Sequence, residues 1–323
     1  MIFRRLKAIW NPELYHGWGK KKKFFEGWYY KIVSKDQDHA FAFIPGIAMD
    51  ENGLKQAFIQ ILDGKKFNSN YIKFSFDKFK SNPLVHDVRI GNNRFKLNSI
   101  ELDLPNIKGK LLFKNLTPWS KSFFSPGIMG PFSFLPFMEC YHGILSMNHS
   151  ISGDLIINNK KINFNSGRGY TEKDWGHSFP LGYVWMQSNH FSNKNISFKL
   201  SVAKIPLRGF SFIGFIAGIY INGNIIEFTT YNFSKLKKCS ISKEEVLIEM
   251  ENNNYKIIVK AIRSKSTKLA APIQGFMDSR IEESMNSIIH LILIDKIENK
   301  TIINDNGLSS CIEVAGKYNL LIK

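Results

Sequence analysis

The most constraining feature of this chain is its punctuation. Short runs of β-branched and aromatic residues recur along the whole length, separated by clusters such as Asp50-Glu51-Asn52-Gly53, Gly91-Asn92-Asn93, Asn158-Asn159 and Asn222-Gly223-Asn224. Asn, Asp and Gly supply the backbone conformations that tight hairpin turns require, and the intervening side chains suit a pleated, half-buried surface. Segments 41–47, 57–62, 71–79, 108–113, 153–157, 197–202, 225–231 and 255–261 therefore read as strands. Helical periodicity is scarce; its best candidates, 243–250 and 278–289, fit strands equally well. Many short strands without strand–helix alternation imply an all-β sandwich or barrel. At 323 residues the chain can hold two domains, each able to bury a core without disulfides or metals.

Composition narrows the function classes. The 27 Phe, 11 Tyr and 6 Trp favour strands and apolar cavities. Lys and Arg number 44 against 27 Asp and Glu, a net charge of +17 that would attract polyanions or anionic lipid headgroups. Lys20, Lys21, Lys22 and Lys23 form the dense basic run, which a solvated loop also explains. No recognition helix, zinc-finger spacing or RNP-like signature accompanies it, so nucleic acid is not an expected partner. Three widely spaced cysteines with no CxxC pair speak against a disulfide framework or a cysteine-based zinc site. The basic N-terminal residues lack an apolar segment behind them, so the expected location is cytoplasmic. The apolar stretch 209–221 is too short to span a bilayer. Segment 117–136 mixes four prolines with glycine and aromatics, which a regular ladder does not tolerate; it reads as a long loop that closes a barrel mouth or touches a lipid surface. A domain boundary is expected near 176–182, giving domains 1–178 and 179–323, although no internal sequence repeat is visible.

Three segments resemble one known family. Phe24-Phe25-Glu26-Gly27-Trp28-Tyr29 is similar to its opening EGWY motif. Gly169-Tyr170-Thr171-Glu172-Lys173-Asp174-Trp175-Gly176, followed by Phe179-Pro180, resembles its second motif, and Trp185-Met186-Gln187-Ser188-Asn189 resembles the strand after it. The family is that of tocopherol cyclase and its bacterial relatives, and the Lys-, Asn- and Ile-rich composition resembles that of proteins from an AT-rich bacterial genome, where tocopherol synthesis would be unexpected. The resemblance implies a pair of lipocalin-like (calycin) antiparallel β-barrels. For the plant and cyanobacterial members it also implies closure of a chromanol ring from a prenylated hydroquinone. Fold transfers more safely than substrate.

No P-loop, GxGxxG, HExxH or GxSxG is present, and of the eight histidines only His142 and His149 lie close together, at a spacing that puts them on opposite strand faces. Neither a metal site nor a cofactor is expected. These absences fit proton-initiated cyclisation or hydration of an alkene, which needs an acid, a dry pocket and aromatic faces to steady a cation. They fit equally a carrier that binds a prenylquinol, isoprenoid or lipid unchanged.

Strand alternation puts Glu26 on one face with Phe24, Trp28 and Tyr30. Desolvated there, Glu26 would have a raised pKa and become the leading proton donor; the competing reading is a buried structural glutamate bonded to backbone amides or to an arginine. Glu172, Asp174 and His177, beside Tyr170 and Trp175, are expected to crowd a turn at a barrel mouth, as alternative acids or as turn caps. Glu139 and Tyr141 share a face with Phe137, opposite His142. Trp185, Gln187 and Asn189 share a face with Tyr183 and Phe191, where amides between aromatics would suit a quinol hydroxyl. Peripheral membrane contact is expected through the lysine run and the Pro/aromatic loop.

Overall fold

The computed structural model describes residues 2–207 and 209–323; Met1 and Arg208 lie outside them. Two antiparallel sheets account for almost all of the regular secondary structure. The first comprises β1 (Phe24–Val33), β2 (Ala40–Met49), β3 (Lys55–Asp63), β4 (Asn68–Ser75), β5 (Phe79–Ser81), β6 (Asp87–Ile90), β7 (Asn93–Lys96), β8 (Ser99–Leu104), β9 (Ile107–Lys114), β10 (Cys140–Ile157), β11 (Lys160–Asn163) and β12 (Gly167–Gly176). Its order is β4-β3-β2-β1-β12-β10-β9-β8-β7-β6-β5, with β11 paired to β10. The second comprises β13 (Gly182–Ser188), β14 (Ile196–Leu207), β15 (Phe210–Ile221), β16 (Asn224–Thr229), β17 (Lys235–Ile241), β18 (Glu245–Glu251), β19 (Tyr255–Ile262), β20 (Thr267–Ile273), β21 (Phe276–Asp295) and β22 (Lys300–Gly316). Its order is β16-β15-β14-β13-β22-β21-β19-β18-β17, with β20 paired to β21.

The two sheets share one plan. A four-stranded meander is followed by a second meander whose last strand returns to pair with the first, β12 with β1 and β22 with β13. The end strands of each path, β4 with β5 and β16 with β17, are consecutive in sequence, so each sheet curls round on itself as a lipocalin-like barrel whose ladder is left open at that seam among the described residues. Each curl encloses its own apolar cluster. The first is built on Trp28, Tyr30, Phe43, Phe95 and Leu111, and the second on Val184, Met186, Phe198, Ile248 and Leu291. The structural repeat is thus real, although no sequence repeat announces it.

Turn chemistry explains the hairpins. Asn158 and Asn159 adopt φ of 48° and 64° between β10 and β11, and Asn222 and Gly223 adopt 49° and 90° between β15 and β16, the left-handed pairs that two-residue turns demand. The tract 71–79 is broken by a 3-10 turn at Phe76–Lys78, and the strand beginning at 224 stops at Thr229, where another 3-10 turn follows. Neither helical candidate is a helix: 243–250 overlaps β18 from Glu245 onward, and 278–289 lies within β21. An unanticipated α-helix, α1 (Ile2–Ile9), precedes the first barrel.

The chain divides into two compact units, Met1–Phe179 with Leu269–Arg280, and Pro180–Lys268 with Ile281–Lys323. Segment 269–280, which a division after residue 178 assigns to the second domain, therefore clusters with the first. Gln60 clamps it, donating to the carbonyl of Ala270 at 3.3 Å and accepting from its amide at 2.8 Å. Among the described residues no helix is long and apolar enough to cross a membrane.

Candidate active site

Directly opposed residues of an antiparallel pair share a sheet face. The β1–β12 register sets Glu26 against Trp175, Trp28 against Lys173 and Tyr30 against Thr171, all on the face that packs into the first core. There the fully buried Lys173 ammonium meets Glu26 Oε1 at 2.5 Å and lies 4.8 Å from the ring centres of both Trp28 and Trp175. It also donates to the Leu14 carbonyl and, at 2.8 Å, to Nδ1 of His16. The Glu26 carboxylate accepts from the amides of His16 at 2.9 Å and Gly17 at 3.1 Å, and the Trp28 indole donates to the Glu13 carbonyl at 3.2 Å. The His16 ring stacks on Trp175 at 4.0 Å. Glu26, Trp28, Lys173 and Trp175 together pin segment 13–17 to the first barrel.

This network corrects the expectation for Glu26. Burial pushes its carboxyl up, but the Lys173 ammonium and then His16 hold it below its ordinary value, so it is an ionised partner and not a stored acid. Burial draws Lys173 down to about 8 against the pull of Glu26, and holds His16 below its usual value, with Lys173 adding to the effect. Tyr30 lies deeper in the core, its hydroxyl 2.5 Å from Nε2 of His86; burial raises the phenol and drops the imidazole to about 3. Tyr141 shares the inner face, stacked on Trp175 at 5.5 Å, with its hydroxyl donating to the Leu135 carbonyl.

The opposite face of β12 has a different character. Tyr170, Glu172 and Asp174 alternate with Lys173 and Trp175, and they stand on a regular strand and not on the expected turn. The β10 register sets His142 directly against Asp174. His142 Nδ1 lies 2.7 Å from Asp174 Oδ1, and its Nε2 lies 3.6 Å from Glu172 Oε2, to which the Tyr170 hydroxyl donates. Because a carboxylate only accepts, the Asp174 bond places a proton on Nδ1 and leaves Nε2 facing Glu172; this buried Nε2 has no hydrogen-bond partner. The result is a row of proton carriers, phenol, carboxyl, imidazole and carboxylate, with a 3.6 Å gap between Glu172 and His142. Ligand atoms of His142, Glu172 and Asp174 lie within 4.8 Å of one another, so the three could also present one nitrogen and two oxygens to a cation.

Burial dominates the neighbouring groups. Burial pushes the Cys140 thiol well up, and Asp174, Glu139 and Glu172 add to the shift. Glu139, just before β10, is itself raised by burial, with His177 opposing. The Glu139 carbonyl accepts from the His177 amide at 2.9 Å, which ties the end of β12 to the start of β10.

Trp185 and Gln187 lie on β13 in the second unit, and Asn189 follows it. Val184 and Met186 fill the second core, so Tyr183, Trp185 and Gln187 occupy the other face, where they are nonetheless buried. The register adds Lys199, Ser201, Cys311 and Glu313 to that face, with Tyr183 donating to Glu313 at 2.8 Å and Lys199 to Ser201 at 2.7 Å. A hollow of about 220 Å³ at the first barrel, lined by Phe41, Ile61, Leu104 and Ile157 among others, and one of about 460 Å³ at the second, around Phe233 and Asn252–Asn254, include none of the site residues expected from sequence.

Sequence reasoning missed His16, Lys173 and the partnership of His142. Lys173 and His142 are joined to their partners by pairing across β12, which returns to β1 after more than a hundred intervening residues, and His16 reaches Glu26 and Lys173 from the segment ahead of β1. The alternation of Lys173 with Glu172 and Asp174 within the second motif was the one available signal.

Fold and side chains thus define an all-β protein of two lipocalin-like barrels, with a partly buried acid–base row between β10 and the strand that closes the first. A family model described as tocopherol cyclase-like matches residues 111–316, and the chain belongs to that family. The match takes in the second motif and the β13 strand, whereas the EGWY-like segment precedes it. A protein described as a probable chloroplastic tocopherol cyclase, from Oryza sativa subsp. japonica, is 23% identical over 287 residues, an alignment covering 70% of this chain and 60% of the rice protein's length. Among solved structures, CghA superposes with a TM-score of 0.56 at 10% identity, covering 91% of this chain and 89% of that one. Kievitone hydratase from Nectria haematococca gives 0.51 at 11% identity, covering 91% and 88%. These two likenesses carry the fold.

Proposed function

We propose that this protein is a cofactor-free acid–base catalyst of the cyclase or hydratase type, acting on an alkene in a hydrophobic, prenylated substrate. The observation that carries this reading is the imidazole of His142, held by Asp174 and facing Glu172 on the strand that bears the family motif. In the proposed reaction the Glu172–His142 pair delivers a proton to one alkene carbon, leaving a tertiary cation on the other. A phenol oxygen of the same molecule, or a water, forms the new C–O bond and returns its proton to the pair. The change is an isomerisation in the first case and a hydration in the second, and neither needs an oxidant or a group carrier. The family membership and the name of the rice relative support a cyclase; the name of the Nectria neighbour supports its hydratase counterpart by analogy alone.

The test is incubation of the purified protein with prenylated hydroquinones and phenols in deuterated water. A cyclic ether or tertiary alcohol bearing one deuterium at the protonated carbon is the expected product. Its formation should fall by about 10²–10⁴-fold in Glu172→Gln and His142→Ala, the usual worth of a positioned acid. Recovery of every substrate unchanged, with intact ligand still bound, would make the protein a carrier.

A further inference from the structure

The first unit carries a surface that neither its core nor the acid–base row uses. Helix α1 presents Phe3 and Leu6, spaced to share one helical face, and both are exposed. Lys7 reaches from the helix to the Leu84 carbonyl at 3.4 Å, where Leu84 and Val85 are also exposed. One turn further on, Trp10 packs against Phe123 and Phe134 with ring centres at 5.9 and 5.5 Å, and its indole donates to the Phe123 carbonyl at 3.1 Å. Phe123 and its neighbour Phe124 are 71% and 76% exposed. Helix and loops are therefore stitched together, and the stitching holds six large apolar side chains outward. Isolated exposed apolar residues need no explanation, but a cluster of this kind does.

The geometry points to a monotopic membrane face: α1 with the loops around Leu84 and Phe123 docks on an anionic lipid bilayer. Charge selects this occupant. Residues 1–23 hold seven Lys and Arg against the single acid Glu13, and Lys20, Lys21, Lys22 and Lys23 are all exposed. Arg4 lies 4.7 Å over the Trp18 ring, which places the helix beside the segment leading into those lysines. A second copy of the chain would bring like charges together. A nucleic acid backbone would satisfy the lysines but leave Phe3, Leu6, Leu84 and Val85 facing nothing apolar. A headgroup layer over acyl chains satisfies both sets, and the two signals reinforce each other as they do in interfacial anchors. This inference stands whether or not the acid–base row is catalytic.

Flotation of the full chain with phosphatidylcholine vesicles, alone or mixed with phosphatidylglycerol, tests it. Binding to the anionic vesicles should be at least about tenfold tighter than to the neutral ones and should weaken as salt is raised. Phe123→Ser/Phe124→Ser should lose roughly tenfold or more in affinity for anionic vesicles with the fold kept, since both rings are mostly exposed and the Trp10 indole keeps its bond to the carbonyl of residue 123; a melting curve of the variant checks that it is folded. Replacing Lys20 to Lys23 by glutamine should lose a similar factor. Absence of flotation with anionic vesicles at low salt would overturn the proposal. So would equal binding of the phenylalanine variant, which would leave only a polyanion-binding patch such as RNA or heparin could fill.

Discussion

Replacing Glu26 by Gln separates a structural carboxylate from a catalytic one. The substitution keeps the shape but removes the negative charge that faces Lys173 Nζ at 2.5 Å, inside a site where both side chains are fully buried. The ammonium would retain the Leu14 carbonyl, His16 Nδ1 and two indole faces, but no anion. Removing one member of a buried ion pair costs about 3–5 kcal/mol, because the remaining charge stays desolvated. At roughly 2–4 °C per kcal/mol for a unit of this size, the first transition should move down by about 6–20 °C. Lys173→Met should cost a similar amount by stranding the carboxylate on the His16 and Gly17 amides. The double variant should be less destabilised than either single one, because neither charge is then left alone. Calorimetry or urea titration followed by tryptophan emission measures all three, Trp28 and Trp175 being the reporters that touch the lysine. If Glu26→Gln melts within a degree of the parent, or if the two single costs simply add, the charge network does not hold segment 13–17 in place and the structural reading of the EGWY-like motif fails.

Two further outcomes follow from the same geometry. Burial sets Lys173 at about 8 in the folded chain against an ordinary 10.5, so between these values the unfolded chain binds the extra proton, and stability relative to Lys173→Met should rise with pH by up to ~1.4 kcal/mol per unit; a difference that stays flat from pH 8 to 10 on paired denaturant curves would contradict it. Gly275 has φ of +88°, and a Cβ there would come within 2.2 Å of the Met49 carbonyl oxygen and the Phe24 nitrogen, so Gly275→Ala should lower stability by at least roughly 1–3 kcal/mol through backbone strain alone, and an unchanged melting temperature would show that the β20–β21 hairpin tip is not seated on β1 and β2.

The all-β class was legible because turn chemistry is local: Asn158-Asn159 and Asn222-Gly223 announce their hairpins without reference to anything distant. The strand face of Glu26, Trp28 and Tyr30 was legible for the same reason, since alternation is a property of one strand. The sign of the Glu26 shift was not. It depends on Lys173, and a carboxyl among aromatics with no cation in view has only desolvation to respond to. The helix–strand ambiguity at 243–250 and 278–289 was resolved by pairing partners that periodicity does not see, β19 flanking both strands. The Glu172-Lys173-Asp174 segment looked like a turn because three consecutive charges rarely enter a strand interior. Here they do so because each faces a partner, Lys173 inward to Glu26 and the carboxylates outward to Tyr170 and His142.

That division explains why one short motif can look both structural and catalytic. Successive side chains of a strand point to opposite faces, so a segment that closes a barrel between β1 and β10 must serve the core with every second residue and is free to do something else with the rest. In Tyr170-Thr171-Glu172-Lys173-Asp174-Trp175 the even positions build the proton row and the odd ones fix the first barrel. The two sets are coupled through the backbone. A change at Lys173 or Trp175 that lets β12 slip against β10 would carry Asp174 away from His142 and open the 2.7 Å contact that orients the imidazole. Loss of turnover in a Lys173 variant is therefore not by itself evidence that Lys173 touches substrate. The distinction lies in rescue: Glu26→Gln/Lys173→Met, which removes both buried charges while keeping side-chain bulk, should recover activity along with stability, whereas a catalytic lysine would leave the double variant as inactive as the single one.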